Sequence, residues 1–79
     1  MDEADFTKID EMVFDRLHRG PPGPVVVRLK GGTTVTGQLV AIHRSGAIGG
    51  SAGSPAGELS LVSASGPIAV RYDDIEAIA

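Results

Sequence analysis

The chain of 79 residues contains no cysteine and no tryptophan, and its only aromatic side chains are two Phe and one Tyr. Without cysteine it can form neither disulfides nor thiolate metal sites. The two histidines, His18 and His43, have no second ligand beside them at metal-binding spacing, so we expect neither a metal nor another cofactor. A chain this short buries only roughly 60% of its unfolded surface. Small domains of this kind often gain stability by association, so we expect a homo-oligomer.

Long apolar runs and strong positive charge are also missing. No run of about 18 apolar residues occurs, so the sequence predicts no membrane span. Residues 1–5 are acidic and lack the basic start and apolar stretch of a signal peptide, so we expect a cytoplasmic protein. Residues 1–20 hold six acids and three bases, whereas residues 21–79 hold four of each. Neither part is a basic patch, so the charge gives no support to non-specific binding of nucleic acid.

Residues 5–19 have the periodicity of an amphipathic helix. The apolar positions that fall on one face are Phe6, Ile9, Val13, Phe14 and Leu17. Asp5 is a suitable N-cap, and Gly20 followed by Pro21-Pro22 ends the helix. Asp10 interrupts the apolar face. It is either a partly exposed acid at the edge of the stripe or an acid paired across a subunit contact.

From Val25 onward the pattern is that of β-strands, with β-branched residues and alternating polarity. Gly31-Gly32 indicates a hairpin turn, Gly66-Pro67 a second turn, and Tyr72–Asp74 a third. Residues 45–57 form a Gly/Ser/Ala-rich segment that predicts a loop. The five predicted strands are residues 25–30, 33–43, 58–65, 68–71 and 75–78.

These elements predict one mainly β domain over residues 1–79, with a barrel over about 25–79. Gly37 lies within the second strand, where a glycine favours a sharp bend or a bulge. Strict alternation along that strand places Val35, Gly37, Leu39 and Ala41 on one face. Five short antiparallel strands with such a bend describe a small, strongly bent barrel, and the N-terminal helix has an apolar face that can cover its open end.

The chain resembles the Sm-like (LSm and Hfq) superfamily, as a divergent bacterial, phage or archaeal-type member. Residues 25–39 are similar to the first motif of that family, which is an apolar strand, a Gly turn and a strand with an internal Gly. Residues 68–78 are similar to the second motif, with Tyr72 in place of its Gly. The resemblance implies a helix followed by a bent five-stranded barrel, and it implies homo-oligomeric rings of five to eight subunits.

The resemblance also suggests RNA as a ligand, although the chain departs from the RNA-binding pattern of the family. The Asp and Asn that hold a base in RNA-binding members are replaced by His43-Arg44-Ser45, and the bacterial Lys-His pair is replaced by Tyr72-Asp73. Only Arg71 matches an RNA-contact position. Arg71 with Tyr72, and His43 with Arg44, are therefore the candidate RNA-binding residues, by phosphate contact and base stacking.

Each of these candidates has a purely structural alternative. Arg71 can pair with Asp73 or Asp74, beside a Tyr72 that packs on the rim of the barrel. His43 and Arg44 can be the solvated end of a strand. The chain offers no Ser-His-Asp spacing and no acid pair in a cleft, so we do not expect an enzyme.

The last two strands are the expected free edges of the curled sheet. Pairing of the fourth strand in one copy with the fifth in the next satisfies both edges and repeats until a ring closes. The interface residues predicted from this arrangement are Ile68, Val70, Ile75 and Ile78. Two functions remain open, namely a ring that binds RNA or nucleotides weakly, and an assembly module that makes protein contacts and binds no nucleic acid.

Overall fold

The computed structural model describes residues 1–45 and 55–79 and confirms a mainly β fold with an N-terminal helix and five antiparallel strands. A 3₁₀ turn, Tyr72–Asp74, joins the last two strands. The elements are α1 (Glu3–Arg19), β1 (Val25–Leu29), β2 (Thr34–Ser45), β3 (Ala56–Ser63), β4 (Gly66–Arg71) and β5 (Ile75–Ile78).

The predicted loop 45–57 is wrong at both of its ends. Ser45 is the last residue of β2, and Ala56 and Gly57 already belong to β3, so the ladder between these strands is longer than the sequence suggested. Pairing with a neighbouring strand keeps these small residues extended, despite their weak intrinsic preference. The middle of the predicted loop, residues 46–54, lies outside the described residues.

The helix begins earlier than predicted, and Asp2 caps it instead of Asp5. The Asp2 carboxylate accepts a hydrogen bond of 2.7 Å from the backbone N–H of Asp5, which satisfies one of the free donors of the first turn. Phe6 and the next two apolar positions of the predicted face are buried. Leu17, the last residue of that face, is 43% exposed.

The five strands form one open sheet with the order β4-β3-β2-β1-β5. The predicted strands and antiparallel pairing are present, but the sheet is not closed into a barrel. No pairing joins β4 to β5 among the described residues. These two strands are therefore the edges of the sheet, as the sequence predicted. The turn after β4 leads the chain to the opposite edge of the sheet, where β5 pairs with β1.

The connection between β4 and β5 requires the sheet to fold over on itself. In a flat antiparallel sheet of this order, the last residue of β4 and the first residue of β5 would lie at opposite ends of the strands. They would also be four strand spacings, or about 19 Å, apart across the sheet. Only three residues separate Arg71 from Ile75, and they span at most about 14 Å. The sheet is therefore strongly bent.

The bend lies at Gly37, where β2 changes partners. Residues 34–37 of β2 pair with β1, and β2 pairs with β3 from Gln38 onward. A Cβ atom at Gly37 would lie 3.0 Å from the carbonyl oxygen of Val62 and 3.2 Å from the Cβ of Leu61. Glycine thus allows β2 to cross closely over β3, which agrees with the predicted role of this residue.

The irregularity in β2 lies at Val40, which the sequence did not predict. The pairing with β3 shifts between Leu39 and Ala41, so Val40 is an extra residue and is largely exposed. This β-bulge turns Ile42 toward the core and Ala41 away from it. The face assignment from strict alternation is therefore correct up to Leu39 and wrong beyond it.

The turn between β3 and β4 also differs from the prediction. It is centred on Ala64-Ser65, and Gly66 begins β4 with a φ of +117°, a value that glycine adopts readily. In the hairpin between β1 and β2, Gly32 has a φ of +91°, which confirms the turn predicted at Gly31-Gly32.

Candidate functional site: the strand ends around Tyr72

The ends of β2, β3 and β4 present two sets of residues on opposite faces of the sheet. His43 lies opposite Glu58, and Glu58 lies opposite Arg71, so these three charged or polar side chains form one row across the strands. Arg44 lies opposite Gly57. Because successive side chains of a strand alternate between faces, Arg44 belongs to the face that α1 covers. Tyr72, in the turn after β4, contacts the same helix through Asp10 and Phe6.

Tyr72 is fully buried beneath the helix and fills the space above a glycine. Its ring lies against Gly57, where a Cβ atom would come within 2.6 Å of ring carbons Cδ2 and Cε2. The ring of Phe6 packs against it with centroids 5.4 Å apart. Gly57 is therefore required for the position of the ring, because any side chain there would occupy the same volume.

A polar network connects this ring to the helix and to the end of β2. The Tyr72 hydroxyl donates a hydrogen bond of 2.7 Å to Oδ1 of Asp10. The guanidinium of Arg44 lies 3.2 Å from Oδ2 of the same carboxylate and 5.0 Å from the centre of the Phe14 ring. Asp10 is partly exposed, as one of the two interpretations expected, but it pairs with Tyr72 and Arg44 of its own chain, which neither interpretation proposed.

Burial is the main cause of a raised pKa for the Tyr72 hydroxyl, since the phenolate would lose its hydration. The hydrogen bond to Asp10 and the negative charge of that carboxylate raise the pKa further, while Arg44 acts in the opposite direction. Tyr72 is thus held as a neutral donor, and Asp10 is its acceptor.

The four candidate RNA-binding residues do not form one open surface. His43, Arg44 and Arg71 border a shallow depression that Glu58 also lines, whereas both faces of the Tyr72 ring are covered. Arg71 approaches Asp73 to 3.6 Å, which is the structural alternative predicted for it. Arg44 is held by Asp10, and His43 is exposed.

The predicted interface residues lie on the two edge strands, with their side chains directed toward the core. Val70 and Ile75 are buried, and Ile68 and Ile78 pack against the core while remaining partly exposed. The edges therefore present mainly backbone N–H and C=O groups to a neighbouring strand. Val26 and Ala79 exchange two hydrogen bonds of 2.8 Å, so the N–H and C=O of the preceding residue, Ile78, point to the free side of β5.

Sequence reasoning missed the contacts of Tyr72 with Gly57 and Asp10. Asp10 and Tyr72 are 62 positions apart along the chain, and no local pattern connects the two residues. The one available signal was Asp10 itself, since an acid within an apolar helical face needs a buried donor.

Among the described residues, no group of three or more His, Asp or Glu side chains is arranged to hold a metal ion. No helix in the described part of the chain is long and apolar enough to cross a bilayer. No protein-family model matches the chain, and comparisons with curated proteins and with solved structures gave no match.

Proposed function

We propose that this chain is the subunit of a homo-oligomeric ring of the Sm-like type, and that the ring is an assembly module that works through protein contacts. The observation that carries the proposal is the strand order, which leaves β4 and β5 as the two free edges of one bent sheet. Each edge supplies unpaired backbone groups that another strand can satisfy. The resemblance of residues 25–39 and 68–78 to the Sm-like motifs supports the same architecture.

The two edges differ, and this determines what kind of oligomer forms. When β4 of one copy pairs with β5 of the next, each copy keeps one free edge for a further copy. Such a heterologous contact repeats until the rotation closes, which gives a ring instead of a dimer. Edge pairing also gives this small chain additional buried surface that its own core lacks.

The charges near the depression favour protein contacts over RNA. The carboxylates of Asp73 and Asp10 lie beside Arg71 and Arg44, and Glu58 lies between His43 and Arg71 in the row across the strands. Three carboxylates among three bases weaken the attraction for phosphate. An assembly module needs no such attraction.

The ring is tested by removing the outward donor of β5. We expect the native protein to form one oligomer of five to eight subunits in light scattering at micromolar concentration, and we expect Ile78→Pro to shift it toward monomer. Proline removes the N–H that points to the free side and leaves the Val26–Ala79 pair intact. Ile78→Ala is the matched control, since it reduces the packing of the side chain but retains the N–H.

A native protein that stays monomeric over the whole concentration range would contradict the ring. Equal dissociation of Ile78→Pro and Ile78→Ala would show that side-chain packing, and not the backbone edge, holds the copies together.

The second candidate function is weak RNA binding, which the convergence of His43, Arg44 and Arg71 on one depression favours. This alternative predicts binding of U-rich or A-rich oligonucleotides that weakens as salt rises. Arg71→Ala should then weaken binding about fivefold or more, the effect of losing one good contact of 1–3 kcal/mol. The assembly proposal instead predicts no salt-dependent binding by fluorescence anisotropy, for the native chain and for the variant alike.

A further inference from the structure

We propose that the sheet turns over at each contact between copies, so that the core side of β5 is continuous with the outer side of β4 in the next copy. This inference rests on the proposed ring and goes beyond it, because it states which residues meet across the contact. In the register that follows, Ile78 of one copy lies opposite Ala69 of the next.

The backbone of β4 determines which of its residues can bond to another copy. Pro67 has no N–H, so its pair with Val62 of β3 is a non-hydrogen-bonded pair. Hydrogen-bonded and non-hydrogen-bonded pairs alternate along an antiparallel ladder. Ile68 and Val70 therefore bond to β3, whereas the N–H and C=O of Ala69 point to the free side of β4.

The free backbone groups of the two edges belong to residues on opposite sides of the sheet. On β5 they belong to Ile78, whose side chain packs against the core. On β4 they belong to Ala69, whose side chain is exposed on the outer side. Residues directly opposite each other in an antiparallel pair direct their side chains to the same side. A pair between Ile78 and Ala69 therefore joins the core side of one strand to the outer side of the other.

The direction and the register of the contact follow from the same backbone groups. The strand pairings of the described residues are all antiparallel, and we take this direction for the contact because it is slightly more stable per residue. The other outward residues of β4 are poorer partners for Ile78. Pro67 has no N–H to donate, and Arg71 ends β4, so a pair with it would leave most of β5 beyond the end of that strand.

The sizes of the side chains along the two edges fit this register. The pairs that it forms are Ile78 with Ala69, Ala77 with Val70, and Ala79 with Ile68. Each pair joins an alanine to a branched aliphatic side chain, and such an alternation of small and large residues allows facing positions to pack closely. The alternative that keeps the two core sides continuous is a parallel pairing, which sets Ile78 against Val70 or Ile68 instead.

The contact also covers apolar surface that the single chain leaves exposed. Val62 lies opposite Pro67 on the outer side of β3 and β4, and it is 46% exposed. Met12 of α1 borders the same depression as Ile78. When the core side of β5 continues into the outer side of the next β4, this part of α1 is brought toward Val62 and Pro67 of that copy. A second copy of this chain thus supplies both the backbone partner and an apolar cover.

Disulfide cross-linking tests this arrangement, and the chain is suited to it because it contains no cysteine. In Ala69→Cys/Ile78→Cys, the two substituted residues lie opposite each other with Cα atoms about 5.5 Å apart, which is within the range of disulfides. We expect oxidised glutathione to convert the assembled chains into covalent multimers up to the size of the ring on non-reducing gels.

The matched control is Val70→Cys/Ile78→Cys, which moves one cysteine by a single position to the other side of β4. We expect its chains to run as monomers on the same gels, because the two sulfur atoms then lie on opposite sides of the sheet. Light scattering in reducing buffer shows whether each variant assembles. Should the loss of Ile78 prevent assembly, Ile68→Cys/Ala79→Cys decides the question, because it tests another predicted pair and retains Ile78.

Multimers from the Val70 variant alone would show that the core sides are continuous and that the sheet does not turn over. Multimers from both variants, or from neither while light scattering still shows a ring, would also overturn the proposed register and leave the ring in place. A native protein that is monomeric removes the ring and this inference together.

Discussion

Replacing Gly57 by alanine should lower the free energy of unfolding by about 3 kcal/mol, the upper range for overpacking a rigid core. The added methyl group would lie 2.6–2.7 Å from three carbon atoms of the Tyr72 ring. The ring cannot easily retreat, because Phe6 packs against it and its hydroxyl is bonded to Asp10. Urea unfolding monitored by circular dichroism measures the loss.

Gly31→Ala is the matched control, because nothing lies within 4 Å of a Cβ atom at Gly31 and its φ is not positive. A change of less than about 0.5 kcal/mol is expected there, as for ordinary surface substitutions. If Gly57→Ala were as mild as the control, Tyr72 would not pack on β3 in solution. The interpretation of the buried cluster would then be wrong.

Tyr72→Phe should cost about 2 kcal/mol, the usual contribution of a hydrogen bond to a charged group. The substitution retains the ring in its pocket but removes the hydroxyl that donates to Oδ1 of Asp10. Arg44 remains beside the carboxylate at 3.2 Å, which limits the loss. Thermal or urea unfolding of the two proteins gives the difference.

A double-mutant cycle separates the hydrogen bond from the other effects of each change. Asp10→Ala removes the acceptor, and Asp10→Ala with Tyr72→Phe removes both partners. We expect a coupling energy of about 1–2 kcal/mol, as for residues in direct contact. A coupling near zero would mean that the hydroxyl and the carboxylate do not interact.

Alkaline pH gives a second measure of the same contact. Because the pKa of Tyr72 is raised in the folded chain, the folded protein retains a proton that the unfolded protein loses near its ordinary pKa of about 10. The stabilisation is therefore complete below pH 10 and declines above it. Tyr72 is the only tyrosine, so tyrosinate absorbance should appear together with unfolding, and Tyr72→Phe should lack this alkaline loss of stability.

If the proposed ring forms, we expect the cluster around Tyr72 to affect assembly, because Tyr72 lies in the turn that connects the two edge strands. Tyr72 begins the turn between β4 and β5, and its hydroxyl holds that turn to α1 through Asp10. Variants that loosen this contact should affect the orientation of both edges. Comparing the oligomer of Tyr72→Phe with that of the native chain would show whether the proposed ring depends on the cluster.

The sequence by itself determined the main elements. Period-3.6 spacing predicted the helix, alternating β-branched residues predicted five strands, and the glycines at 31–32 and 37 located a turn and the bend. Strand order alone did not determine that β4 and β5 are the edges, because consecutive antiparallel strands usually pair with one another and would place β4 beside β5. The pairing of β5 with β1 is what leaves both strands at the edges. The helix, the strands and the glycine positions are local features, so they can be read without a tertiary structure.

Only the tertiary structure decided how the strand ends are used. The bulge at Val40 depends on the pairing with β3, and it reverses the faces that alternation assigned beyond Leu39. Tyr72 was a candidate to stack on a base, but packing against Gly57 buries it. Its bond to Asp10 joins positions far apart in sequence. Such contacts arise when the bent sheet brings distant segments together beneath the helix. The pattern of polar and apolar residues along the chain does not show which segments will meet.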